Sequence, residues 1–139
     1  MPHFTAGYGG RKPEDFLALL SGAGVRTVVD VRLRPDRASM GAYVKAKSPA
    51  QGIEALLARA GIGYVSLVEL GNVFLALDDW PERYAQLLAQ SGPLLTARLA
   101  DVPGPYCLVC AEKAVAGCHR RLLAEHLEAR GAPPFRHLE

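Results

Sequence analysis

The stretch Cys110-Ala-Glu-Lys-Ala-Val-Ala-Gly-Cys-His-Arg-Arg121 holds the densest set of reactive side chains in the chain. It reads as a strand end running into a helix start. A thiol at Cys118 would stand at that helix N-terminus beside His119, surroundings that lower a cysteine pKa and suit a nucleophile or a metal ligand. His119, Arg120 and Arg121 fall in the first helical turn, where the helix dipole disfavours cations. Their presence calls for a compensating acid or anion, and Glu112 or a bound anionic ligand could supply it. Arg121 can meet Glu125 four residues on, an ordinary surface pair. His119 and Arg120 have no such local explanation.

Glu112 and His119 are therefore candidates for acid/base work, and Cys110 and Cys118 for nucleophilic work. Core or capping roles for the two thiols fit the same sequence. Cys107, Cys110, Cys118 and His119 also spell C-x2-C-x7-C-H, which looks like a zinc pattern. Cys107 and Cys110 lie on one strand three residues apart, however, and so point to opposite faces. No metal site and no cofactor are expected, and Cys107 reads as a buried core residue.

Two other clusters carry chemistry. Asp30-Val31-Arg32 places an acid and a base two residues apart at a strand end, hence on one side. Arg32 would grip a phosphate or carboxylate while Asp30 orients it, or the two would simply pair with each other. Gly7-Tyr8-Gly9-Gly10-Arg11 links a strand to a helix. Backbone N–H groups at Gly9 and Gly10 could approach an anion, with Arg11 beside them. The spacing is neither a dinucleotide fingerprint nor a P-loop, and a tight turn is the plainer reading. Tyr8 and Tyr43 could stack on a ligand ring or pack at the solvent edge. His3, His126 and His137 read as structural or solvated, and Lys45 and Lys47 as a solvated loop face.

These residues must be positioned by an alternation of strands and helices. Strands are expected at His3–Gly7, Val25–Val31, Gly63–Val68, Pro105–Cys110 and Phe135–Leu138. Between them, a helix opens at Pro13 and stops at Gly22 and Gly24. A second starts at the capping box Ser48-Pro49-Ala50-Gln51 and ends at Gly61. A third is capped by Asp79 and broken or kinked at Ser91-Gly92-Pro93, and a fourth covers about Cys118–Arg130, with Gly131 as its terminator. Arg32–Lys47 reads as a long functional loop. The alternation predicts an α/β fold: a single domain over residues 1–139, a mainly parallel sheet of about five strands, and helices on both faces. In such a sheet ligands bind beyond the carboxyl ends of the strands. Gly7–Arg11, Asp30–Arg34, Glu69–Asn72 and Cys110–Lys113 all fall at those ends, which points to a single site.

The 139 residues, half of them apolar and 22% charged, suffice for a hydrophobic core and argue against disorder. A net charge of +2 is too mild to imply a nucleic-acid partner on its own. Local clustering says more, since Arg26, Arg32, Arg34 and Arg37 crowd one segment. The N-terminus shows no basic stretch followed by an apolar one, and no apolar run has membrane-spanning length. A cytoplasmic location without membrane contact is expected, and there the odd count of three cysteines argues against a disulfide framework.

With these residues in hand, the chain resembles the DUF488 family, a domain of unknown function. The likeness rests on Thr5-Ala6-Gly7-Tyr8-x-Gly10-Arg11, on Val29-Asp30-Val31-Arg32 with Pro35, and on Glu69-Leu70-Gly71. It closes with Cys110-Ala111-Glu112 and Cys118-His119-Arg120. The family usually has Pro-x-Ser-Arg after its Asp-Val-Arg, whereas this chain has Pro35-Asp36-Arg37-Ala38-Ser39. Lys12 stands where a serine or threonine is typical, and Val115 where a proline is frequent. The resemblance implies a shared pocket but assigns no reaction.

Three functions fit this reading. The first is binding or processing of a small anionic ligand, phosphorylated or nucleotide-like, gripped by Arg11, Arg32 and Arg120. The second is thiol chemistry, sulfur transfer or redox, at Cys110 or Cys118. A rhodanese loop has its cysteine open a ring of backbone N–H groups closed by a basic residue, which Cys110-Ala-Glu-Lys-Ala-Val-Ala matches poorly. The Cys-x5-Arg phosphatase loop fails because the sixth residue after Cys110 is Ala116. The third is a nucleic-acid-binding module, which the modest charge and the lack of an aromatic-basic stripe make the weakest of the three.

Overall fold

The computed structural model describes residues 2–139, so Met1 of the expected 1–139 unit lies outside the described residues. Five strands, β1 (Phe4–Gly7), β2 (Thr27–Asp30), β3 (Gly63–Ser66), β4 (Tyr106–Cys110) and β5 (Arg136–Leu138), form one sheet in the order β3-β2-β4-β1-β5. Every pairing is parallel. The chain is thus α/β, with its helices on both faces of the sheet. α1 (Pro13–Ala23) and α2 (Gly52–Ala58) bury Phe16, Leu20, Ile53 and Leu57 against Phe4, Ala6, Val28 and Val109. On the opposite face α3 (Trp80–Leu95) and α4 (His119–Ala129) bury Tyr84, Leu88 and Leu123 against Val29 and Leu108.

The alternation of the strands explains this division. Along β4, Cys107 and Val109 enter the α1/α2 core, while Tyr106, Leu108 and Cys110 enter the other. The opposed directions expected for Cys107 and Cys110 follow from the same pleat.

Local chemistry sets the helix ends. Proline opens α1, and Gly24, with φ of 80°, closes it by donating its N–H to the carbonyls of Leu20 and Ser21. α2 begins at Gly52, not at the expected Ser48-Pro49 box. Ser48 Oγ instead accepts from Ala50 N in a local turn. Gly52 then takes φ of 70°, which no right-handed helix running on from Pro49 could contain. α3 continues through Ser91-Gly92-Pro93 to Leu95, so of the two outcomes expected there, a break or a kink, the break does not occur. Gly92 packs directly against the His126 ring of α4, where a side chain would collide. Asp79 makes no capping bond and pairs with Arg83 one turn on.

Because Gly7 pairs with Cys110 and Asp30 with Val109, the carboxyl ends of β1, β2 and β4 stand level. β2 leads towards α2 on one face and β4 towards α4 on the other. The segments leaving them diverge and leave a crevice at that edge, as parallel sheets do where connections change direction.

Candidate functional site

A cavity of about 440 Å³ occupies this crevice, within the range of small-molecule sites. Tyr8, Arg32, Cys110, Glu112, Cys118 and His119 line it, together with Arg34, Arg37 and Asn72. Leu33, Val73, Leu75 and Ala76 form an apolar wall, and Val73 and Leu75 are among the most exposed large apolar residues of the chain.

Asp30 and Arg32 pair with each other, the plainer of the two expectations. The carboxylate is fully buried and takes Arg32 Nε at 2.9 Å and Nη2 at 2.7 Å, with Arg32 N at 3.1 Å. Tyr64 Oη donates to the same carboxylate at 2.5 Å. Asp30 is thereby consumed inside the protein and does not reach the cavity as a ligand group. Burial would lower the Arg32 pKa, but the bonds and charge of Asp30, with Tyr8, outweigh it and hold the guanidinium firmly protonated. Arg32 Nη1 donates to Tyr8 Oη at 2.9 Å, and Tyr8 stacks on Tyr43 with ring centres 4.3 Å apart. The cavity floor is thus a preset guanidinium plane on an aromatic pair.

Cys110, Cys118 and His119 make the second wall. The sulfurs of Cys110 and Cys118 lie in bonding contact, which corrects the expectation of separate thiols. Cys118 caps α4, its Sγ accepting from Arg120 N at 3.5 Å. His119 Nε2 lies 2.9 Å from the Val31 carbonyl. A carbonyl only accepts, so Nε2 carries the proton and Nδ1 presents a lone pair, 3.7 Å from Cys118 Sγ. Burial first, and then the charge of Arg120, hold His119 below its ordinary pKa despite its bond to Val31. His119 is accordingly a neutral imidazole whose unprotonated nitrogen faces the Cys118 sulfur.

Arg120 departs most from expectation. It is fully buried and does not line the cavity. Its Nη1 donates to Cys110 Sγ at 2.9 Å and to the Glu112 carbonyl, and its Nη2 to the Lys113 carbonyl at 3.0 Å. Nε has no partner. The groups of the protein that meet the Arg120 cation are thus backbone carbonyls and a sulfur, and the Glu112 carboxylate is not among them. Arg121 pairs with Glu125 at 3.1 Å, as expected. The Glu112 side chain stays exposed at the cavity wall.

The glycine turn is also reassigned. Tyr8 N donates to Cys110 O and Gly9 N to Ala111 O, so the backbone donor expected for an anion at Gly9 is already used. A side chain at Gly7 would collide with the Glu112 carbonyl, and one at Gly9 with that of Ala111. These glycines exist so that the β1–α1 turn can lie against residues 110–113. Gly9, Gly10 and Arg11 line a separate, smaller hollow of about 270 Å³ with Lys12, Met40 and Tyr43. The single site expected across all four strand ends is therefore divided, with Tyr8 belonging to both walls. Glu69, read as a strand-end acid, pairs outward with Arg98 at 2.6 Å.

Asn72 carries a role that the sequence reading did not assign. It is 5% exposed, and its Oδ1 accepts from Phe74 N at 3.0 Å, which fixes the amide. Its Nδ2 has no partner and belongs to a cavity wall residue. A buried unpaired donor is costly unless something accepts from it. Its one signal in the sequence was the Gly71-Asn72 turn, where Gly71 is required because Leu33 backbone lies against it. Tyr64 as the third partner of Asp30 left no signal at all. Among the described residues, no group of three or more His, Cys, Asp or Glu is placed to hold a metal ion, and no helix is long and apolar enough to cross a membrane.

Neither the curated proteins nor the solved structures include a significant match to this chain. The family described as Domain of unknown function DUF488 matches residues 12–127, which take in the Asp30/Arg32 pair, the cavity wall at Asn72 and the whole Cys110–Arg121 segment. The chain belongs to the DUF488 family.

Proposed function

We propose that the cavity binds a small ligand with an anionic group and a flat or apolar body, such as a nucleotide-like phosphate. The observation that carries this reading is the pairing of preset cationic donors with an apolar wall in one cavity at the strand ends. Arg32 is held charged and rigid, while Arg34 and Arg37 stand exposed beside it. Arg34 is partly neutralised by Asp36 at 2.8 Å, and Arg37 has no ion-pair partner among the described residues. Arg37 is thus the cation most available to an incoming phosphate or carboxylate. Leu33, Val73 and Leu75 would cover the ligand body, and Asn72 Nδ2 would donate to a carbonyl or ring nitrogen on it. A cytoplasmic protein acting on a soluble ligand is consistent with this chemistry.

Calorimetric titration with adenosine and guanosine monophosphates, and with inorganic phosphate alone, tests the reading. Loss of a charge-assisted bond costs roughly 1.5–3 kcal/mol, so Arg37→Ala should weaken nucleotide binding by about tenfold to a hundredfold. Asn72→Ala should weaken the nucleotide but not inorganic phosphate. Equal affinities in wild type and both variants would defeat the proposal.

A further inference from the structure

The buried guanidinium of Arg120 has no carboxylate within ion-pair distance among the described residues. A charge so placed is destabilising unless an anion accompanies it. The side-chain atom that meets it is Cys110 Sγ, at 2.9 Å. A Cys110 thiolate would supply the missing anion, and Cys118, in bonding contact with Cys110, would take that anion away by bridging. Cys118 itself caps α4 and has an unprotonated imidazole nitrogen beside it. Cys110 and Cys118 both line the cavity, whereas Cys107 is sealed in the opposite core.

We infer that Cys110 and Cys118 are a reversible dithiol–disulfide pair that exchanges electrons with a small anionic disulfide admitted through the arginine-lined cavity, with Arg120 as the positioning residue that stabilises its reduced form. The reduced pair reacts in two displacements. Cys118 gives its proton to His119 Nδ1, and its thiolate attacks one sulfur of the small disulfide. The S–S bond of that disulfide breaks, and the departing thiolate takes up the proton. The Cys110 thiolate then attacks Cys118 Sγ, the mixed disulfide breaks, and the second small thiolate leaves and is protonated from solvent. Two electrons pass from the protein to the small disulfide, which becomes two thiols, and the protein holds one bridge. A small thiol in excess reverses both steps. Because Arg120 favours the Cys110 thiolate over the bridge, the pair is poised towards reduction, the logic by which a stabilised reduced state makes a disulfide a strong oxidant.

The inference stands apart from the identity of the nucleotide-like ligand, and its test contains no nucleotide or phosphate. The protein is reduced, desalted and equilibrated in mixtures of reduced and oxidised glutathione. It is then acid-quenched, alkylated and analysed by intact and peptide mass. Cys110 and Cys118 should lose alkylation together and share one bridged peptide, while Cys107 stays unmodified until the chain is unfolded. Arg120→Met should move the half-oxidation point about tenfold towards more reducing mixtures. Cys110→Ser, a near-isosteric change, should trap one glutathione on Cys118. No bridge at any ratio would overturn the inference, as would an unchanged midpoint in a folded Arg120→Met. Should that variant fail to fold, absence of the Cys118 adduct in Cys110→Ser would overturn it equally.

Discussion

Replacing Asp30 with asparagine removes one charge and leaves the shape of the side chain intact. In the native protein the carboxylate is fully buried, and Arg32 is only 6% exposed. Two guanidinium nitrogens, a backbone N–H and the Tyr64 hydroxyl converge on it. An asparagine can still accept from Tyr64, but its NH2 must face the Arg32 guanidinium, donor against donor. Removing one member of a buried ion pair costs about 3–5 kcal/mol, because the other charge stays buried and unpaired. With a urea m value on the order of 2 kcal/mol/M, the unfolding midpoint should fall by roughly 2 M, read by far-UV circular dichroism. The double variant Asp30→Asn/Arg32→Met should recover most of that loss, since replacing the whole pair with apolar volume is often nearly neutral. A loss below about 1 kcal/mol, or no recovery in the double variant, would refute the view that this pair is a tightly coupled buried unit.

Gly7→Ala should destabilise the fold by roughly 1–3 kcal/mol through the collision with the Glu112 carbonyl, measurable by the same urea titration. His119, His3 and His126 are all held below the ordinary value of 6.5, chiefly by burial. The unfolded chain therefore binds more protons than the folded one below that value. Stability should be full above about pH 6.5 and fall as pH drops towards the lowered folded values. His119→Gln, which keeps a donor for Val31, should flatten the slope, and an unchanged slope would contradict the assignment. Binding to single-stranded oligonucleotides should be weak, and a tight affinity falling steeply with salt would favour the nucleic-acid alternative instead.

The strands were legible because continuous apolar runs such as Val28-Val29 and Cys107-Leu108-Val109 and the glycine and proline punctuation are local signals. The helix starting at Gly52 was not, since a left-handed glycine overrode a serine–proline start that looked sufficient by itself. At the site, residue types pointed to the right segment and the wrong partners. His119 is neutral and bonds the Val31 carbonyl, while the Arg120 cation turns to the carbonyls of Glu112 and Lys113, contacts between backbone and side chain that no side-chain pattern encodes. Arg11 stands at a strand end like Arg32, yet its Nε turns back to the Gly7 carbonyl at 2.8 Å and its neighbours form a different hollow. Asn72 escaped notice because its significance is a missing bond, visible only once its surroundings are packed.

The central claim is that the crevice between the ends of β2 and β4 is where the ligand sits. Amide chemical-shift mapping with adenosine monophosphate tests it most directly, residue by residue. The account predicts shifts confined to Tyr8, Arg32–Arg37, Asn72–Ala76 and Cys110–His119, the walls of one cavity. Shifts centred on Arg11, Lys12 and Met40, or none at millimolar nucleotide, would contradict it.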